Sequence, residues 1–179
     1  GEPGPESSAL HQYLNAGKRS LALDVSVAGD RSRLDAFLPV ADIVVNGYSP
    51  ADSQRFGITE PAIRRVARTA TLVDITSWGQ YGPYADYAGD DQILLAAGGL
   101  AHLVGEAGEQ PWLTYGHQGE YHLGIQAAIG AMAALYGREV IGETQAVDIS
   151  GLEANVIMTE QSISLWTMHG FNRTRSGNG

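Results

Sequence analysis

A carboxylate stands where the sequence predicts the start of a long helix. Glu120 directly follows the loop residues His117-Gln118-Gly119 and opens a segment that is apolar on nearly every side as far as Arg138. The helix dipole and the unpaired N–H groups of a first turn stabilise negative charge there. At the edge of a packed core, such a carboxylate can act as a nucleophile or a base. The alternative, an acid that only stabilises its own helix, is the commoner use of this position and stays open.

Neither the nearby histidines nor the Gly-Lys pair predicts a metal or phosphate site. His117 and His122 are five residues apart, whereas two ligands on one helical face stand three or four apart. We therefore predict no metal. The segment Asn15–Ser20 precedes a strand, but a phosphate-binding loop needs a strand before it and a helix after it. Lys18 and Arg19 can still touch an anionic ligand, or they are solvated charges beside a strand.

The composition excludes several classes of protein. The 179 residues include no cysteine, so a disulfide scaffold, a cysteine nucleophile and a cysteine zinc site are impossible. The net charge is −9 and the basic residues are scattered, which argues against nucleic acid as a partner. The longest apolar stretch, Leu123–Tyr136, is shorter than the about 20 residues that span a bilayer. We expect a globular, cytoplasmic protein with no membrane partner.

Strand and helix patterns alternate, which predicts a parallel α/β sheet with right-handed crossovers. A loop is predicted over residues 1–12, and a continuous apolar run indicates that the second strand is buried on both faces. The strand patterns cover Leu21–Val25, Asp42–Asn46, Thr71–Ile75 and Ala146–Ile149. The helix patterns cover 31–39, Pro50–Phe56, Ala62–Arg68, Asp91–Val104, Glu120–Arg138 and Gly151–His169. The Glu120–Arg138 helix is expected at the centre of the domain.

Five stretches, which follow one another over nearly the whole chain, carry a family resemblance. They are Asn15-x-Gly17-Lys18-Arg19-Ser20-x-x-Leu23-Asp24, Ala41–Val45 with Pro50 and Gly57, Gly79-Gln80-Tyr81-Gly82-Pro83-Tyr84, Ala127-Ala128-Ile129-Gly130-x-x-Ala133-Ala134-Leu135, and Gly142–Ser150 with Leu152-Glu153-Ala154. As a collinear set they resemble the family III CoA-transferases, a family that also contains the α-methylacyl-CoA racemases.

This resemblance implies a Rossmann-like parallel sheet flanked by helices, as in the family's large domain. Family members are roughly twice this length. Residues 1–179 are therefore expected to be the central part of the large domain, without its first strand-helix-strand unit and without the small second domain. The segment Arg175-Ser176-Gly177-Asn178 resembles the family's Arg-x-Gly-Asn segment. Because two subunits interlock in the family, the intact protein is expected to be a homodimer.

The resemblance also assigns a role to Glu120. In the transferases an Asp four residues before the Gly that corresponds to Gly124 attacks the acyl-CoA thioester and forms a mixed anhydride. The CoA thiolate then attacks this anhydride, and the product is a thioester between the enzyme and CoA. The acceptor carboxylate completes the exchange. Glu120 offers the same carboxylate one methylene further out. The implied function is acyl-CoA:carboxylate CoA exchange, with CoA thioesters and a carboxylic acid as substrates and no tightly bound cofactor.

Positions that contact the CoA nucleotide in the family fall on two groups of residues near strand ends and on a short early segment. They are Leu23, Ser26, Gly47, Tyr48, Ser49, Arg55, Ala88, Gly89, Asp90 and Asp91. Leu23, Tyr48 and Arg55 keep the family's character. Ser26 stands where Lys can occur, Gly47 where Asn is usual and Ser49 where Arg is common, and Ala88 lacks a charge sometimes found there. Fewer cations around a polyanionic ligand weaken its binding.

Two other functions are weighed against CoA transfer. The racemases pair their Asp with a His that follows a Gly, and here Asp90 follows Gly89 at that place, so the acid–base pair is incomplete. Locally, the pair Asp90-Asp91 is explained as an N-cap of the next helix. The alternative from another class is a degenerate, non-catalytic CoA-transferase-fold domain of a larger polypeptide. The Asp-to-Glu change at Glu120 and the missing cations favour it.

Overall fold

The computed structural model describes residues 8–177 and divides the chain into two units, Gly1–Leu34 and Asp35–Gly179. Most of the loop predicted over residues 1–12 lies outside the described residues, and so does Asn178. Where that prediction can be compared, it is wrong, because helix α1 spans Ala9–Leu14 and begins with the side chain of Ser8 accepting the N–H of His11. The unit boundary falls within helix α2, Ala28–Phe37.

The strand predicted at Leu21–Val25 does not form. A strand needs a hydrogen-bonded neighbour, and among the described residues this stretch pairs with none. Asp24 shapes it instead. The carboxylate of Asp24 accepts from Ser26 Oγ at 2.6 Å and from Ser26 N at 3.0 Å, and these bonds lower the pKa of Asp24. The backbone N–H of Asp24 donates to Asp30 at 3.0 Å.

The second unit contains the sheet and its helices. A 3-10 turn, Leu38–Val40, follows α2. The remaining elements are β1 Ile43–Asn46, α3 Pro50–Phe56, α4 Glu60–Val66, β2 Thr71–Thr76, α5 Asp91–Ala97, α6 Leu100–Leu103, α7 Gln118–Ile141, β3 Ala146–Ser150, α8 Gly151–Ile157 and α9 Glu160–His169. Within residues 8–177, no helix combines the length and the apolar character needed to cross a membrane.

The three strands are parallel in the order β1-β2-β3, which confirms the predicted parallel α/β fold. The register aligns Val45 with Val73 and Val73 with Val147. Apolar residues on one face of the sheet pack against α7, around Val73, Ala127 and Ala131. The prediction that β1 is buried on both faces is wrong, because β1 has one neighbour in the described sheet and Val45 is 60% exposed.

Small residues bring α7 close to the sheet. A Cβ added to Gly130 would lie 3.0 Å from Val147 Cγ1 and 3.2 Å from Ile149 Cδ1, so a larger residue would push the helix outward. The prediction that this helix lies at the centre of the domain is confirmed only for the face that packs on the sheet. The opposite face of α7 is exposed. A helix that is apolar on every side gives no sign of which side packs against another element, so the sequence did not predict this. The exposed apolar residues of α7 include Ile125, Ile129, Met132, Tyr136 and Val140.

Two predicted helices are each divided in two. The first breaks between α5 and α6, where Gly99 has φ +91°, a left-handed conformation that favours glycine. The second breaks between α8 and α9 at Met158-Thr159. Thr159 Oγ1 donates to the carbonyl oxygen of Gly98 at 3.1 Å, so the two breaks contact each other.

Candidate active site

The carboxyl ends of the strands place most of the predicted site residues at one edge of the sheet. Because β1 and β2 are parallel, the chain leaves both strands in the same direction, after Asn46 and after Thr76. In open α/β sheets, ligands bind outside this edge. The predicted positions 47–49 directly follow β1, and the loop that ends at positions 88–91 follows β2. Leu23 and Ser26 belong to the first unit.

Glu120 lies in the first turn of α7, as the sequence predicts. Its side chain is 52% exposed, and Oε2 lies 3.1 Å from Nδ1 of His117. A proton on that nitrogen would be donated to the carboxylate, which would select one orientation of the Glu120 side chain. The first turn of a 24-residue helix also stabilises the negative charge. The carboxylate is thus accessible to a substrate and is oriented by a neighbour.

The two aspartates at the start of α5 have different roles. Asp90 caps α5, because its Oδ1 accepts the N–H of Ile93 at 2.9 Å, and this confirms the predicted N-cap. Asp91 is buried, and its Oδ1 accepts the N–H of Glu120 on α7 at 2.9 Å. The sequence contains no local signal for this second bond, which joins residues 29 positions apart.

A buried asparagine that the sequence did not predict as a site residue also contacts the start of α7. Asn155 on α8 is fully buried, and its Nδ2 donates to the carbonyl oxygens of Gly151 at 2.8 Å and Gly119 at 3.4 Å. The one feature of the sequence that could have indicated this role is an amide side chain beside the apolar Val156 and Ile157. Such a polar residue at an apolar place indicates a buried hydrogen-bonding role.

Side chains at the start of the loop that follows β2 donate hydrogen bonds to backbone carbonyl oxygens near its end. Ser77 Oγ donates to the carbonyl oxygen of Gly89, and Trp78 Nε1 donates to that of Ala88, both at 3.4 Å. A Cβ on Gly89 would lie 2.6 Å from Ser77 Cβ, so the loop requires glycine there. The ring of Tyr84 packs against Trp78, with centroids 5.7 Å apart. Ala88 and Gly89 therefore shape the site through their backbone.

The residues that follow β1 are largely engaged with one another. Arg55 pairs with Asp52 at 2.9 Å and lies 4.5 Å above the ring of Phe56. Ser49 caps α3, since its Oγ accepts the N–H of Asp52 at 3.1 Å. Tyr48 contacts the Phe56 ring edge-on and is half exposed. Arg55, the one cation among the predicted nucleotide positions, thus already has an acidic partner.

A cavity of about 270 Å³ lies beside Asn46 and Asp74, which alternate with the strand residues that face α7. It is lined by Asn46, Pro50, Ser53, Gln54, Thr59, Glu60, Pro61, Asp74, Gln80 and Tyr81. These lining residues include two carboxylates and no basic side chain, so the cavity does not suit phosphate groups. Among residues 8–177, no three His, Asp or Glu side chains are arranged to hold a metal ion.

Comparison with known proteins gives a consistent result. A sequence profile described as CoA-transferase family III matches residues 2–179. The chain is similar to the succinyl-CoA:(R)-benzylsuccinate CoA-transferase subunit BbsE of Thauera aromatica, with 28% identity over 99% of this chain and 43% of that protein. It is also similar to the formyl-CoA:oxalate CoA-transferase of Streptomyces avermitilis, with 30% identity over 82% of this chain and 36% of that protein.

Among solved structures, the fold resembles that of a CaiB/BaiF family protein from Brucella suis. The TM-score is 0.86 at 23% identity, over 90% of this chain and 43% of that one. An identity this low supports the fold alone. In each of these comparisons the chain spans less than half the length of its relative.

Proposed function

We propose that this chain, which belongs to CoA-transferase family III, carries the nucleophile of an acyl-CoA:carboxylate CoA-transferase, and that Glu120 is the nucleophile. The observation that supports this most directly is the Glu120 carboxylate itself. It is half exposed at the N-terminus of α7, 3.1 Å from His117 Nδ1. The names of its relatives pair an acyl-CoA with a second carboxylic acid, such as (R)-benzylsuccinate or oxalate.

In the proposed reaction, a Glu120 oxygen attacks the thioester carbonyl carbon of the donor. The carbon–sulfur bond breaks, CoA leaves as the thiolate, and the acyl group and Glu120 form a mixed anhydride. The thiolate then attacks the Glu120 carbonyl carbon and expels the donor carboxylate, which leaves a glutamyl-CoA thioester. The acceptor carboxylate repeats the two steps in reverse, so that Glu120 is regenerated and no proton is gained or lost overall.

The resemblance proposes CoA nucleotide contacts in each unit separately, at Leu23 and Ser26 in the first unit and in two segments at the sheet edge in the second. The segments contribute Gly47, Tyr48, Ser49 and Arg55 after β1, and Ala88, Gly89, Asp90 and Asp91 after β2. The half-exposed ring of Tyr48 can stack on a base, a contact worth about 1–3 kcal/mol. A racemase is disfavoured, because Asp90 has no imidazole and already caps α5.

The second candidate function is a non-catalytic domain of the same fold within a larger polypeptide or assembly. The ion pair between Arg55 and Asp52 favours it, because the nucleotide phosphates would have to compete with that carboxylate. The relative from Thauera aromatica is named as a subunit, which is compatible with a domain that works within a larger assembly.

Trapping the intermediate tests the catalytic proposal. The natural full-length protein is incubated with an acyl-CoA, and the thioester is then cleaved with hydroxylamine and located by mass spectrometry. We expect a hydroxamate at Glu120, which Glu120→Gln abolishes. Glu160→Gln is the matched control, since Glu160 also lies exposed in a first helical turn. No adduct, together with full turnover by Glu120→Ala, would refute the proposal.

Binding and assembly separate the two candidate functions further. Calorimetry with CoA is expected to give micromolar affinity if the chain is part of an enzyme, and undetectable binding would favour the non-catalytic domain. We also propose that the natural protein is an interlocked homodimer in the cytoplasm with no tightly bound cofactor. Light scattering measures whether the protein is a dimer. Mass spectrometry of the native and the denatured protein measures whether a cofactor is tightly bound.

A further inference from the structure

The peptide group between Gly119 and Glu120 is bonded at both of its polar ends by side chains from other helices. Its carbonyl oxygen accepts from Asn155 Nδ2 on α8 at 3.4 Å. Its N–H donates to Asp91 Oδ1 on α5 at 2.9 Å. Asn155 is completely buried and Asp91 is 7% exposed. Two helices therefore fix the plane of the peptide from which Glu120 projects.

Close packing removes the remaining freedom at this point. A Cβ on Gly119 would lie 3.1 Å from Asn155 Oδ1, from Asp91 Oδ1 and from Leu95 Cγ. A Cβ on Gly98 would lie 2.8 Å from Asn155 Cβ. Asn155 is thus enclosed between two glycines, and a larger residue at Gly98 or Gly119 would displace it.

These bonds replace a local cap. The first N–H groups of a helix have no partner within the helix, and a side chain at the N-cap position usually accepts from one of them. His117 occupies that position in α7 and makes no such bond. Asp91 supplies the missing acceptor from α5, so the beginning of α7 depends on a residue 29 positions away.

We propose that Asp91 and Asn155 are positioning residues, which act on the reaction by fixing the backbone of Glu120. This inference rests on the proposed role of Glu120 as the nucleophile. A glutamate has one more rotatable bond than an aspartate, so its carboxylate depends more strongly on a fixed backbone. A misplacement of about 1 Å at a reacting group can cost about a hundredfold in rate.

Steady-state kinetics of the natural full-length protein test the inference. Asp91→Leu removes the bond to the Glu120 N–H, and Asn155→Leu removes the bonds to the carbonyl oxygens of Gly119 and Gly151. Both substitutions keep a similar volume. We expect kcat to fall by about 10- to 100-fold in each. In Asn155→Leu, which changes no proposed CoA contact, KM for the acyl-CoA should change by less than about threefold. Asp91→Asn keeps an oxygen acceptor and is expected to recover most of the lost kcat. Val73→Ala is the control for destabilisation, because Val73 packs against α7 at Ala127. This substitution should lower Tm without lowering kcat.

Backbone hydrogen exchange gives a readout that does not need activity. In Asp91→Leu the Glu120 amide should exchange about tenfold faster or more, as expected when a bond to a charged acceptor is lost. The Ala131 amide in the middle of α7 should keep its rate. Unchanged exchange at Glu120 in Asp91→Leu, or a rise in KM with kcat intact in Asn155→Leu, would overturn the inference. Faster exchange in a protein that shows no adduct at Glu120 would overturn the proposed function and leave the positioning contact standing. If Asp91→Leu does not fold, Asn155→Leu tests the other end of the same peptide.

Discussion

The side-chain amide of Asn46 donates to the carboxylate of Asp74 on the neighbouring strand, with 2.7 Å between Nδ2 and Oδ1. The two residues are register partners near the carboxyl ends of β1 and β2. Burial raises the pKa of Asp74, the bond from Asn46 opposes this effect, and the charges of Asp148 and Glu60 raise the pKa further. The folded protein therefore binds a proton at Asp74 more readily than the unfolded chain does.

The first prediction is that Asp74→Asn stabilises the protein at neutral pH. The amide keeps an oxygen for Asn46 and removes a half-buried charge that lies near two others. A raised pKa in the folded state means that ionised Asp74 opposes folding at pH values above this pKa. Tm of the variant should exceed that of the wild type by about 1–3 °C at pH 7.

The difference in Tm should shrink as the pH falls through the raised pKa of Asp74 and should vanish below the ordinary value of 3.8. Thermal unfolding at a series of pH values measures it. Asp86→Asn, at an exposed position, is the control and should have little effect. A lower Tm for Asp74→Asn at pH 7, or a gap that does not change with pH, would contradict the prediction.

Gly119 and Gly124 lie in the same helix and should respond to alanine in opposite ways. Gly119→Ala places a Cβ 3.1 Å from three side-chain atoms, and overpacking of this kind costs about 1–3 kcal/mol. A Cβ at Gly124 meets nothing within 4 Å, and Ala in place of Gly within a helix gains up to about 1 kcal/mol. Urea unfolding of both variants gives the comparison. Equal effects would mean that the start of α7 can move aside.

Introducing a cation after β1 should strengthen CoA binding. Ser49→Arg adds a guanidinium at a position that the resemblance assigns to the nucleotide, and we expect about tenfold higher affinity for CoA at low salt. The gain should fall as salt is raised, because screening weakens exposed charges. The variant also loses the cap of α3, which costs about 1 kcal/mol.

Calorimetry at two salt concentrations measures the effect of Ser49→Arg. The matched control is Ser49→Asn, which can still cap α3 and adds no charge. If both variants bind CoA equally, the nucleotide phosphates do not lie near position 49.

Two substitutions at Glu120 separate the effect of the carboxylate group from the effect of side-chain length. Glu120→Asp keeps a carboxylate and matches the residue that the family uses, so the covalent adduct should still form. Glu120→Gln has nearly the same size as the wild type and should form none, because an amide oxygen is a poor nucleophile. Mass spectrometry after hydroxylamine treatment compares the two. An adduct of equal yield in Glu120→Gln would place the nucleophile elsewhere.

Local sequence signals predicted those parts of the fold that depend on neighbouring residues. Asp42–Asn46 and Thr71–Ile75 are short apolar runs between turn formers, and both form strands. The helix Pro50–Phe56 ends at Gly57, which has φ +64°, as a glycine after a helix usually does. The start of α7 next to Glu120 followed from the same kind of signal.

The features that the sequence did not predict depend on distant contacts. The stretch Leu21–Val25 alternates like a strand, but alternation alone provides no partner strand. The break at Thr159 accompanies a hydrogen bond to Gly98, 61 positions away. The contacts of Asp91 and Asn155 with the start of α7 likewise join residues 29 and 36 positions apart. A single sequence carries no pattern for such pairs.

The pairing of β2 with β3 determines when Glu120 can be fixed during synthesis. Leu72 pairs with Ala146, and the whole loop after β2, α5, α6 and α7 are made between them. At ribosomal rates of about 5–20 residues per second, β3 follows β2 after about 4–15 s. Until β3 has been made, α7 has only part of the sheet to pack on, and Asn155, which follows β3, is made later still. The nascent chain therefore completes the surroundings of its proposed nucleophile last, after the helix that carries it has been made.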